Sequence, residues 1–313
     1  MSEELKQAIK ELVLRAGYVA CGIIRAEPFV EYQRALGERI ARFPEAAPLY
    51  EELRPRVDPQ SKAPWVRSIV VCVRRYGKYI LPQEAVGHIG RNYLGDRRFE
   101  GCADHAISDV VRDGLKALGL RIRKGGVPDR WAGARAGVTR FGRNCFAYAG
   151  RYGSWVNIES WRVDAELPPD EPTLTPACPP DCRACIKACP TGALSEPFVM
   201  RMDRCIAYLT YYAPHPIVPA RWEKMGPWIY GCDVCQEVCP LNRGAWEPLE
   251  EAGWQMAVAE HLSPAALATM SAEVYREIIH PRFPYIPLED LERWHVNARR
   301  ALAYLASRNT VHH

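Results

Sequence analysis

Eight of the chain's twelve cysteines fall between Cys178 and Cys239, and they fall in a repeated pattern. The first motif is Cys178-x3-Cys182-x2-Cys185-x3-Cys189-Pro190. The second is Cys232-x2-Cys235-x3-Cys239-Pro240, with Cys205 alone between them. A segment this rich in thiols folds around whatever the thiols bind. Disulfides are disfavoured if the chain works in a reducing compartment. The opening Met1-Ser2-Glu3-Glu4-Leu5-Lys6-Gln7 reads as an amphipathic helix without the apolar core and cleavage site of a secretion signal. No stretch is long and apolar enough for a membrane helix. A cytoplasmic chain with no membrane partner is expected, and clustered cysteines there are metal ligands.

Thiolates are soft donors suited to iron–sulfur centres, and the bacterial ferredoxin run uses short Cys-x2-Cys loops whose proline-followed cysteine ligates the other cluster. That crossing rule assigns all eight. One [4Fe–4S] cluster takes Cys178, Cys182, Cys185 and Cys239; a second takes Cys189, Cys205, Cys232 and Cys235. Two structural zinc ions are the alternative, since paired Cys-x2-Cys loops also make tetrahedral sites. The twice-repeated Cys-Pro favours the clusters, because zinc ribbons need no crossed fourth ligand. The spacing of three after Cys178, where the usual run has two, is a departure at that ligand. Cys21 and Cys72 lie in apolar runs and read as small buried hydrophobes. Cys102 and Cys145 carry no assignment.

The rest of the chain alternates helix and strand patterns up to about residue 165. Leu5, Ile9, Leu12 and Val13 recur at helical spacing. Val19 to Ile24 and Ser68 to Val73 are apolar strand-like runs, and His105 to Leu118 reads as a helix. This predicts an α/β layer architecture. The proline-rich Glu166-Leu167-Pro168-Pro169-Asp170-Glu171-Pro172 disfavours helix and central strand and suggests a boundary. Beyond Pro240 follows a helical tail, with apolar spacing over Ala265 to Ile279 and Leu291 to Leu305. The expected fold class is an α/β domain (residues 1–165), a ferredoxin-like bis-[4Fe–4S] domain (166–245) and a short C-terminal helical tail (246–313). The net charge of +4 is too small, and the charges too interspersed, to argue for nucleic acid. Arg121-Ile122-Arg123-Lys124 and Arg97-Arg98 read as solvated surface, and Trp155, Trp161, Trp222 and Trp228 as packing between the two main domains.

Several long strings resemble the epoxyqueuosine reductase family, itself related to reductive dehalogenases. They are Gly125 to Val138 (GGVPDRWAGARAGV), Phe141-Gly142-Arg143-Asn144, Gly153-Ser154-Trp155, Glu166 to Asp170, Ala188 to Ala193, Arg204 to Thr210 and Tyr230 to Gln236, with weaker echoes at Arg67-Ser68-Ile69 and Asn297 to Leu302. The resemblance implies a cobalamin bound base-off in the α/β domain, which makes that domain a corrinoid-binding one. It also implies an external electron donor of ferredoxin or flavodoxin type, with electrons passing from cluster to cluster to cobalt to a substrate. Arg143, Asn144, Ser154 and Trp155 are the cofactor-binding residues it implies, with Gly142 giving close backbone approach to a cofactor edge.

Family members carry a proton-donating aspartate about four residues before the segment matching Val127-Pro128-Asp129-Arg130. Here that position falls near Arg123, a poor general acid that can hold an anionic or electron-rich substrate. Many members also continue into helical repeats suited to gripping transfer RNA, for which this chain has little room. Transfer RNA is therefore a partner the resemblance allows but does not favour, and the substrate is unassigned. Tyr93 lies in a segment that covers the cofactor in relatives and is a candidate proton donor, as are His88 and His105; for Tyr93 a surface-loop role is the other reading. An electron-transfer protein that reduces a partner or its corrinoid, and a dehalogenase-like reductase, are the rival functions.

Overall fold

A computed structural model of the chain describes residues 2–94, 103–213, 222–251 and 253–309. Arg97, Arg98 and Cys102 lie outside the described residues. Helix α1 (Ser2–Arg15) leads to β1 (Ala20–Arg25), α2 (Val30–Arg42), β2 (Ser68–Arg75), α3 (Ala103–Ala117), β3 (Ile122–Lys124), α4 (Asp129–Arg135) and β4 (Val156–Val163). The strands form one sheet in the order β1-β2-β4-β3, and every pairing is antiparallel. Register runs from Ala20 opposite Val73 to Arg25 opposite Ser68, and from Ser68 opposite Val163 to Arg75 opposite Val156.

The unbroken apolar run of β2 reflects helices on both faces of the sheet. Successive side chains of a strand point to opposite sides. Val70 and Cys72 pack with Ile9 and Val13 of α1 and Val111 and Leu115 of α3. Ile69 and Val71 face the other way, against Phe29, Val66 and Ala132 of α4. A strand covered on both sides has no polar face to show, so alternation disappears from its sequence. Cys21 and Cys72 are cross-strand neighbours that form no disulfide, with Cys72 fully buried. Trp161 lies in the α1/α3 layer. Trp222 and Trp228 pack with Ile206, Leu209 and Met225 inside the cysteine-rich segment. Of the four tryptophans expected between the halves of the chain, Trp155 alone takes such a place, with Tyr76, Ala245 and Trp246.

The proline-rich segment has no helix or strand, yet it is pinned to the sheet. The Ile23 amide donates to the Asp170 carboxylate at 2.8 Å, and the ammonium groups of Lys6 and Lys10 reach the same carboxylate at 2.9 and 2.7 Å. The Leu167 amide donates to Ser68 Oγ at 2.9 Å. Burial pushes the Asp170 carboxyl up, but the hydrogen bonds from Lys10, Lys6 and Ile23 outweigh it and hold the group below its ordinary value. A depressed folded-state value stabilises the fold above the unfolded-state value, near 3.9 for aspartate, and that stability drains away as pH falls toward the lower folded value. Asp170→Asn is therefore expected to lower the urea midpoint at neutral pH and to flatten its decline below about pH 4. Parallel acid limbs for the two proteins in urea titrations would contradict this.

The cysteine-rich segment contributes α5 (Ala184–Ala188), a small antiparallel pair β5 (Leu194–Glu196) and β6 (Val199–Met200), α6 (Ile206–Tyr211) and α7 (Val234–Glu237). The tail includes α8 (Pro264–Ala268), and its last described helix is α9 (Leu291–Asn309). The expected continuous pattern over Ala265 to Ile279 is broken. Ser263 Oγ accepts the Ala266 amide and Ser271 Oγ accepts the Val274 amide, both at 3.1 Å, so each serine starts a helix of its own. A five-residue π turn, Tyr275–Ile279, follows. The tail is no appendage. Leu262, Leu267, Ile279, Phe283, Trp294, Ala298 and Ala301 share one buried core with Ala85, Ile89, Leu94, Tyr211, Ile229 and Tyr230.

Candidate iron–sulfur centre

The cysteines sit where helices start or chains turn. Cys185 lies in α5, Cys205 immediately precedes α6, Cys235 lies in α7, and Cys239 is followed by the proline that opens the next helical turn. All eight are free thiols. Their mutual electrostatics divide them. Burial, then the neighbouring Cys178, Cys239 and Cys182, push the Cys185 thiol up to about 11. Cys178 is raised by burial and by Cys239 and Cys182. Cys232 is raised by burial and then by Cys205 and Cys235; Cys235 by burial and then by Cys205, Asp233, Cys189 and, last, Cys185. Cys205 is raised by burial and by Cys189. Thiols from both motifs thus act on one another: Cys239 on Cys178 and Cys185, and Cys189 on Cys205 and Cys235.

Among the described residues, no three His, Cys, Asp or Glu side chains close around a point that one metal ion would occupy. Zinc needs its sulfurs about 2.3 Å from a single centre. A cubane places its four irons around an inorganic core, so its thiolates stand further apart. The eight thiols are free and buried or half-buried, and soft donors of this kind suit iron–sulfur clusters.

The scaffold around the thiols comes from distant parts of the chain. The Arg143 amide donates to Cys178 Sγ at 3.3 Å, and the Arg143 guanidinium reaches the Pro180 carbonyl. Asn144 is buried and donates to the Tyr148 hydroxyl at 3.0 Å and to the Cys235 carbonyl at 3.2 Å. The Tyr148 hydroxyl in turn donates to Cys239 Sγ at 3.1 Å. A Cβ at Gly142 would stand 2.2 Å from Tyr148 Cε2, so this glycine makes room for the tyrosine ring. The sequence reading gave that glycine to the edge of a cofactor.

Ser154 and Trp155 are buried. Ser154 Oγ accepts from Gln236 at 3.0 Å and from Asn242 at 2.9 Å, while the Ser154 amide donates to Asn242 Oδ1 at 2.8 Å. This knot ties β4's approach to the second cysteine motif. Two donors near these strings are buried without a partner, the Trp155 indole N–H and Arg143 Nε. Corrinoid amide side chains offer carbonyl acceptors for such donors, and a buried donor gains most from finding one. In that respect the residues fit the group the resemblance implies.

Tyr93 is not a surface-loop tyrosine. Its ring packs edge-on against Tyr211, Tyr230 and Tyr285, and its hydroxyl hydrogen-bonds that of Tyr211 at 2.8 Å. Burial, then Tyr211, holds its phenol well above the usual range. Gly231, at φ +80°, leaves the space that the Tyr93 ring fills, since a Cβ there would meet Cε2 at 2.2 Å. Arg123 lies elsewhere, exposed on the edge strand β3 with its guanidinium donating to the Lys62 carbonyl at 3.1 Å. The structure does not bring Tyr93 and Arg123 together. Beside Arg123, Lys124 is more than solvated surface, since it reaches the buried Glu159 carboxylate at 2.9 Å. His88 Nδ1 faces the Pro227 carbonyl at 3.2 Å, and His105 faces Asp109 at 3.6 Å. Asp129 accepts a 2.7 Å hydrogen bond from Ser160, consistent with a structural part.

The second quartet also leans on the tail. Asn297 of α9 donates to the Thr210 and Ile229 carbonyls at 2.8 and 3.1 Å, and Thr210 Oγ1 accepts the Gly231 amide at 3.0 Å. The guanidinium of Arg300 reaches the Gly226 and Trp228 carbonyls. These bonds fix the turn that delivers Cys232. Sequence reasoning missed Tyr148, Gln236, Asn242 and Asn297 as scaffold residues. Asn297 and Gln236 lay inside strings shared with the family; Tyr148 and Asn242 carried no signal.

Residues 178–242 match the model of the 4Fe-4S double cluster binding domain. Over the longer chain, the epoxyqueuosine reductase of Staphylococcus aureus is 29% identical across 78% of this chain and 66% of its own length. That of Cyclobacterium marinum is 26% identical across 88% and 90%. The solved structure of the Bacillus subtilis epoxyqueuosine reductase, with its catalytic loop swung out of the active site, superposes with a TM-score of 0.81 over 96% of this chain and 82% of that one, at 26% identity. The chain is epoxyqueuosine reductase-like. It spans about two thirds of the length of the Staphylococcus aureus relative. An epoxyqueuosine reductase solved with a modified transfer RNA stem loop shares the fold at a TM-score of 0.78. Among the described residues, no helix is long and apolar enough to cross a membrane.

Proposed function

We propose that this chain is an iron–sulfur and cobalamin-dependent reductase of the epoxyqueuosine reductase type, fed by an external ferredoxin or flavodoxin and acting on a substrate still to be assigned. The observation that carries the reading is the match of residues 178–242, which hold all eight thiols, to the 4Fe-4S double cluster binding domain within a fold like that of epoxyqueuosine reductase. When bound, the clusters supply one-electron transfer and the corrinoid the reductive chemistry that no side chain can do. Cobalamin enters through the family resemblance, supported by the two unpartnered donors beside the cluster scaffold.

The chain's own residues position and shield these groups. Cys178, Cys182, Cys185 and Cys239 hold one cluster, and Cys189, Cys205, Cys232 and Cys235 the other. Arg143 and Trp155 offer donors to corrinoid amides, while Asn144 and Ser154 brace the backbone that presents them. Arg123 supplies a permanent positive charge on the sheet edge, which suits an anionic substrate and makes it a poor proton source. Tyr93 keeps its proton inside a cluster of phenols, hydrogen-bonded to Tyr211. A transfer RNA stem loop is what one relative was solved with; the arginine at the position of the family acid weighs against the same modified base here.

Titration of anaerobically reconstituted protein with cobalamin tests the reading. Stoichiometric binding with the base-off electron paramagnetic resonance signature is expected. Arg143→Ala is expected to weaken it about tenfold or more, the scale of one lost charged hydrogen bond. Protein that carries its clusters yet binds no cobalamin would make this chain an electron-transfer module for a partner.

A further inference from the structure

The hydroxyl of Tyr148 touches one cysteine sulfur and is linked through Asn144 to the backbone of another cysteine. It donates to Cys239 Sγ at 3.1 Å and accepts from Asn144 Nδ2 at 3.0 Å. The same Asn144 amide group donates to the carbonyl of Cys235, a member of the other quartet, at 3.2 Å. Asn144 Oδ1 accepts the Phe146 amide at 3.2 Å, which fixes the orientation of the side-chain amide. Tyr148 and Asn144 are only 4% and 2% exposed, so water does not compete for these bonds. The ring itself fits because Gly142 has no Cβ.

Hydrogen bonds to ligand sulfurs are one of the protein's means of setting a cluster's reduction potential. Reduction adds negative charge, part of which resides on the thiolates. A donor aimed at one of those sulfurs stabilises the reduced state more than the oxidised state, and does so more strongly where water is excluded. We propose that Tyr148 is a positioning residue that raises the reduction potential of the cluster served by Cys239, with Asn144 orienting its hydroxyl and tying that bond to the backbone of the second quartet. The inference rests on the reading that the quartets hold [4Fe–4S] clusters. The cluster with the phenol donor is made easier to reduce than its bare ligand set would be.

Tyr148→Phe keeps the ring and removes the donor. In a potentiometric titration followed by electron paramagnetic resonance, reduction of one cluster is expected to become about tenfold less favourable, or 59 mV for a one-electron couple, with less than a threefold change at the other. A second protein carries 3,5-difluorotyrosine at position 148, whose phenol is a stronger donor of nearly the same shape. Its shift is expected in the opposite direction, and this arm stands even if Tyr148→Phe loses iron. Both potentials within a factor of two of the wild-type equilibrium constants, in proteins of wild-type iron content, would overturn the proposal alone. Wild-type protein without iron after reconstitution would instead overturn the reading beneath it.

Discussion

Cys239→Ala is expected to strip roughly half of the iron from the reconstituted protein and to take the same half that Cys182→Ala takes, although the two residues stand at opposite ends of the cysteine-rich segment. The crossed arrangement proposed above would make them ligands of one cluster. A cubane with four thiolates tolerates the loss of one poorly, and the alanine side chain offers no replacement donor. The sharper outcome lies in the doubles. Cys182→Ala with Cys239→Ala should lose no more iron than either single substitution, whereas Cys182→Ala with Cys232→Ala should lose nearly all of it. This is non-additivity of the kind expected when two residues serve one unit. Iron analysis and the visible spectrum read it directly. If Cys239→Ala and Cys232→Ala prove to empty the same half, the ligands are grouped by motif and the crossing is wrong.

Trp294→Ala should produce the largest loss of stability of any single change in the tail, about 3–5 kcal/mol. The indole is completely buried, stacked on Tyr230 with ring centroids 5.0 Å apart and planes 3° from parallel, and it meets Phe283 edge-on at 5.8 Å. A hole of that size cannot collapse, because Tyr230 is itself held by the Tyr285 amide at 3.0 Å and leads within two residues to Cys232. Small domains hold only about 5–15 kcal/mol in total, so the variant spends much of that. Loss of the cluster absorbance in parallel with loss of helix in urea is expected, since the same core supports both. A midpoint shift worth less than about 1 kcal/mol would show that the tail is peripheral to the fold.

The cluster centre and the sheet were legible from the chain for different reasons. Thiol spacing is a local property, so a double-cluster segment over residues 178–242 could be recognised from order alone. Strands β1 and β2 were legible because burial on both faces leaves a continuous apolar run. The short β3 was not, since Ile122-Arg123-Lys124 has the composition of a surface turn and becomes a strand by pairing with Val163, Arg162 and Trp161. The tail misled in one respect. Apolar spacing over Ala265 to Ile279 is helical in period, but Ser271 caps a new start within it, and a side-chain hydrogen bond of that kind leaves no mark on the period.

By itself, the order of residues determined the soft-donor character of the cysteine-rich segment and the α/β layering, because each follows from neighbours a few positions apart. The tertiary structure alone decided what surrounds the sulfurs. Gly142 serves the Tyr148 ring, Ser154 is shared by Gln236 and Asn242, and Asn297 reaches across to Thr210. Tyr93 turned from a loop residue into part of an aromatic core for the same reason. Partners separated by tens to hundreds of residues meet only after the chain has closed its loops, and no periodicity in the sequence encodes which distant group a buried hydroxyl or amide will find.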